Sequence, residues 1–101
     1  MNNRLELQSK LEEILGSRNV YFQPPETIKL SYPCIVYSRQ NGDTQFGDNL
    51  PYLYMNAYQI IVIDPDPDSE IPAKIAQLPL SRFDRHYTAD NLNHDSFVVY
   101  Y

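Results

Sequence analysis

The sequence predicts an α+β domain, with helices laid on a mostly antiparallel sheet in the order α-β-β-β-α-β-β. Three observations lead there. Residues 4–15 carry apolar side chains at helical spacing, residues 58–63 (Tyr-Gln-Ile-Ile-Val-Ile) form an apolar run of strand length, and two strand-like runs near the end are joined by a polar turn. The 101 residues make one domain, 1–101, whose length sets a modest limit on how much surface it can bury.

Each element has its own signal. Leu7, Leu11, Ile14 and Leu15 fall at i, i+4, i+7 and i+8 and line one helix face. Asn3 with Glu6 resembles a capping box, and Gly16 stands where a helix end needs positive φ. A short β-type run, residues 20–22, must break at Pro24 and Pro25, which lack the N–H that a ladder uses. Residues 26–32 read as an irregular link and residues 33–39 as a strand that opens on Pro33. The run 58–63 is apolar on both faces, which marks a central strand covered on both sides.

Residues 69–78 read as a short second helix with Ser69 as N-cap and Pro72 at N3. Ile71, Ile75 and Leu78 then share a face, and Pro79 is the stop. Residues 81–87 and 96–101 read as the last two strands, with residues 90–95 as the turn. Between the second and third strands lie residues 40–51, rich in Gly, Asp and Asn and too long for a tight hairpin, so a mobile projecting loop is expected.

Composition narrows the function. The net charge is -5 without a basic cluster, which disfavours tight nucleic-acid binding, since that rests on cations that displace phosphate counterions. No apolar run is long enough to span a bilayer and residues 1–6 contain no apolar leader, so the expectation is a protein kept in the cytoplasm or packaged from there. Nine Tyr and four Phe with no Trp admit two readings. Either the rings finish the domain's own sheet, or several of them sit at contacts with other proteins.

The candidates for chemistry are weak. Carboxylates alternate at Asp64, Asp66 and Asp68 as at the start of a calcium loop, but Ser69 stands in place of the turn glycine and Ile75 in place of the bidentate Glu. A strand end leading into a helix start accounts for them better. His86 and His94, with Asp84, Asp90 and Asp95 near them, lack the spacing of a metal site. Cys34 is the sole cysteine and opens an apolar run, where a thiol acts as a small hydrophobe. With three glycines, the chain has no phosphate-cradling loop or nucleophile elbow. The reading is therefore no enzyme, with no catalytic, cofactor-binding or metal residues and no cofactor.

Five segments carry a resemblance: Val20-Tyr21-Phe22-Gln23-Pro24-Pro25, Tyr32-Pro33-Cys34-Ile35-Val36-Tyr37, Asp64-Pro65-Asp66-Pro67-Asp68-Ser69, Phe83-Asp84-Arg85 and Tyr87-Thr88-Ala89-Asp90-Asn91-Leu92-Asn93-His94. In their order, the chain resembles the tail terminator, or tail completion, proteins at the head–tail joint of long-tailed bacteriophages. The resemblance implies an α+β subunit of the virion neck, assembled in the host cytoplasm into a homo-oligomeric ring, typically six-fold. Such a ring caps the tail tube protein, ends tube growth and offers its other face to the head connector or completion protein, while DNA passes through the bore without specific binding. The family has no catalytic residues to carry over. From composition and loop position, the expected interface residues are Asp43, Gln45, Phe46, Asp48, Tyr52, Tyr54 and Tyr101. Other neck-layer proteins and a non-viral oligomeric adaptor that binds a strand on a sheet edge are the alternatives. A small metal-assisted hydrolase using His86 and His94 is a further one.

Overall fold

The computed structural model describes residues 4–40 and 56–101. The elements are α1 (Arg4–Leu15), β1 (Val20–Phe22), β2 (Cys34–Gln40), β3 (Ala57–Asp64), α2 (Ile71–Ala76), β4 (Ser81–Ala89) and β5 (Leu92–Tyr100). The α+β order expected from the sequence is the order observed. Of the expected loop at 40–51 only Gln40 is described, and it closes β2.

The helix α1 runs over the predicted residues; the Gly16 N–H closes its last turn on the Glu12 carbonyl at 2.8 Å, and the Gly16 φ of 81° turns the following chain out of the helix. Leu7 and Leu11 are fully buried, and Ile14 and Leu15 pack partly buried against the same core. Each of the two buried leucines is worth roughly 2 kcal/mol in surface removed from water.

The strands form one sheet in the order β1-β2-β3-β5-β4. Three of the four pairings are antiparallel, while β1 runs parallel to β2, with Val20 opposite Ile35 and Phe22 opposite Tyr37. The register sorts side chains by face. Ile35, Tyr37, Tyr58, Ile60, Val62, Phe97 and Val99 share one face, and against it pack Leu7 and Leu11 of α1, Ile75 of α2 and Leu78 just beyond it. Phe22, Tyr37 and Tyr58 make a row of aromatic contacts there, with centroids 4.9 and 6.0 Å apart. The Tyr37 hydroxyl donates to Gln8 Oε1 and accepts from Arg4 Nη1, so a polar cluster ties α1 to the sheet.

The other face corrects one expectation. β3 is the central strand, but both helices lie on a single face. On the opposite face residues 24–30 wall an open groove of about 330 Å³ over Val36, Ile61 and Ile63. The run 58–63 is apolar on both faces because a helix layer covers one and a chain segment partly covers the other.

The second helix is also shorter than expected. Its cap position is Glu70, in helical conformation and without a side-chain cap bond, and Pro72 is the second helical residue. Ser69 still contributes, its hydroxyl accepting from the Ile71 N–H at 3.2 Å. Past Ala76 the chain tightens, with Gln77 bonded to Lys74 and Leu78 to Ile75 three residues back. The shared face of Ile71, Ile75 and Leu78 is as predicted. No helix among the described residues is long and apolar enough to cross a membrane.

Candidate assembly surface

The last two strands are longer than the sequence suggested. β4 and β5 pair down to Ala89 opposite Leu92, leaving only Asp90 and Asn91 as the turn. Both turn residues have positive φ, 53° and 62°, the signature of a type I′ hairpin whose twist suits the strands it joins. Residues 92–95, read from sequence as part of the turn, and residues 88–89, given no element there, belong to the ladder.

β4 is the outer strand of the sheet, and from Arg82 to Ala89 every residue is exposed. Its partner β5 is buried from Ser96 to Tyr100. The register shifts between Phe83 and Arg85, so that Asp84 is the extra residue of a β-bulge. The side chains divide accordingly. Phe83 stacks edge-on against the core ring of Phe97 at 5.5 Å and is still 54% exposed. His86 Nδ1 lies 2.8 Å from Asp95 Oδ1 on that same, helix-bearing face. On the opposite face, Asp84 accepts from the Ser96 hydroxyl at 3.3 Å and meets Arg85 Nε at 3.5 Å, while Tyr87 stacks on His94 at 4.7 Å.

This geometry decides what the two histidines can share. His86 and His94 stand opposite Asp95 and Ile63, on different faces of the hairpin, so no single ion can be bound by both. Among the described residues no group of three or more His, Cys, Asp or Glu side chains is placed to hold a metal. The alternating carboxylates turn back on their own backbone: Asp64 Oδ1 accepts from the Asp66 N–H at 2.8 Å, and Asp66 Oδ1 from the Asp68 N–H at 2.9 Å. Cys34 is fully buried, and burial, helped by the charge of Asp64, pushes its thiol up to about 11, far from the range of a nucleophilic thiolate.

Of the expected interface residues, Asp43, Gln45, Phe46, Asp48, Tyr52 and Tyr54 lie outside the described residues. Tyr101 is half-buried, packed against the core, with its backbone paired to Asn56 in both directions at 3.0 and 3.2 Å. It also borders a shallow depression along α1 with Leu5 and Lys10. Among the described tyrosines, Tyr37, Tyr58 and Tyr100 are buried, Tyr21 and Tyr101 half-buried, and Tyr32 and Tyr87 exposed, so the rings divide between the domain's own core and its surface.

The exposed β4 edge is not among the interface residues expected from sequence. Its signal was present in Arg82-Phe83-Asp84-Arg85-His86-Tyr87, a strand with polar and aromatic residues on both faces, followed by Asp90-Asn91. Comparison with protein families, with curated proteins and with solved structures finds no match to this chain.

Proposed function

We propose that the chain is a structural subunit of the head–tail joint of a long-tailed bacteriophage, forming a ring that caps the tail tube, ends tube growth and presents a docking face to the head connector. The reading starts from the resemblance in the segments around Val20, Tyr32, Asp64, Phe83 and Tyr87. The observation that supports it best is where the exposed apolar area lies: Phe83 and Tyr87 stand on an outer strand, and the groove over Val36 and Ile61 opens on the sheet face without helices. Exposed apolar area of this kind supports a role in protein contact. Net acidity suits a bore through which DNA slides without adhering.

Deleting the gene in the phage tests this reading. DNA-filled heads and separate tails of abnormal length are expected, because nothing would stop the tube or dock it. Normal-length tails already joined to heads would refute it.

The edge of β4, unpaired among the described residues, also favours a second reading, an oligomeric adaptor outside the virion that receives an extended strand on its sheet edge. Such a protein would leave heads and tails unaffected in the same deletion.

A further inference from the structure

The sheet has two edges and they differ in kind. β1 offers three residues and stops at Pro24 and Pro25, too short to pair along the length of a long strand. β4 offers nine, all but Ser81 exposed.

The outward-facing backbone groups of β4 follow from its ladder. Ala89 and Leu92 close the two-residue hairpin as a hydrogen-bonded pair, so alternation turns the N–H and C=O of Thr88 and His86 away from β5. At the other end Leu80 is bonded inward, its carbonyl accepting from the Tyr100 N–H at 3.2 Å, which turns Ser81 and Phe83 outward. The bulge joins these two halves out of step.

We propose that β4 pairs antiparallel with β4 of a second copy of this chain, about a twofold axis that passes between Asp84 and Arg85. In that register Phe83 lies opposite His86 of the other copy, both with outward backbone groups and both on the helix-bearing face. Asp84 lies opposite Arg85, and Arg82 opposite Tyr87, all four on the groove face, so each copy supplies a carboxylate to the other's guanidinium and a cation to its ring. A shift of one residue in one direction sets Phe83 against Tyr87 and Arg85 against Arg85, and in the other sets Asp84 against Asp84 and Phe83 against Arg85; either shift pairs side chains of opposite faces. Chemistry, facing and hydrogen-bond direction therefore select the same register. The pairing is isologous and independent of the tail-cap reading: a ring needs a different, head-to-tail contact.

Sedimentation of the full chain over a concentration series tests the pairing, with circular dichroism as the check of folding. The unmodified protein is expected to dimerise reversibly. Asp84→Arg and Arg85→Asp each place two like-charge pairs across the axis and are expected to weaken the dimer about tenfold. The double variant D84R/R85D restores both pairs with reversed polarity and should return to within about threefold of the unmodified protein. Amide exchange at Phe83, His86 and Thr88, slowed as dimer forms, provides the readout should a variant fail to fold. A protein that stays monomeric at every concentration overturns the proposal. So do an oligomer that both single reversals leave intact, a double variant as weak as the singles, and fast exchange at those three amides in the associated protein.

Discussion

At the scale of single residues, two buried groups make the domain sensitive to alkali. Cys34 has its thiol raised to about 11 from an ordinary 9.0, first by burial and then by the nearby Asp64 charge. The Tyr37 hydroxyl is raised above its ordinary 10.0 by burial, partly opposed by its hydrogen bond from Arg4. The folded state therefore holds these protons more tightly than the unfolded chain does. Their contribution to stability is complete below pH 9 and is lost as pH rises through about 11. Urea denaturation across that range is expected to show a loss of about 2 kcal/mol that Cys34→Ala largely removes, leaving the later onset due to Tyr37. A flat profile in the unmodified protein would show that the thiol is not held in its neutral form.

At the scale of elements, the β4–β5 hairpin depends on a turn that only certain residues can make. Asp90 and Asn91 occupy left-handed conformations, which side chains branched at Cβ resist. Asn91→Val is expected to cost about 1–2 kcal/mol and Asn91→Gly to change stability by less than about 0.5 kcal/mol, as read by chemical denaturation. This turn also shows how far residue pattern reaches. α1 is legible because Leu7, Leu11, Ile14 and Leu15 meet a period that no other structure satisfies. The end of the hairpin is not, because Asn93, His94 and Asp95 are polar and only half-buried and look like turn until Asp90-Asn91 is recognised as a complete turn. The parallel direction of β1 leaves no trace in Val-Tyr-Phe, since direction is set by where residues 23–33 carry the chain. The candidate interface was read from loop composition and falls mainly in residues 43–54, while the exposed edge followed from sheet order, which periodicity does not encode.

At the scale of the whole molecule, a sheet that among the described residues carries helices on one face, a groove on the other and one long unpaired edge must avoid indiscriminate strand pairing. The bulge at Asp84 bears on this beyond the contact proposed above. It divides β4 into two halves of opposite parity, so a regular strand laid along the edge can match facing and hydrogen bonds over one half only. The edge thus works as a lock with an offset pin: a strand carrying the same offset seats along its full length, and unrelated segments do not. Deleting Asp84 would straighten the pin and leave a flat, regular, partly aromatic edge open to any extended chain. The expected result is a variant that folds but loses solubility on concentration, with thioflavin-positive deposits where the unmodified protein stays clear. Equal solubility of the two would mean that charge at Arg82 and Arg85, and not parity, guards this edge.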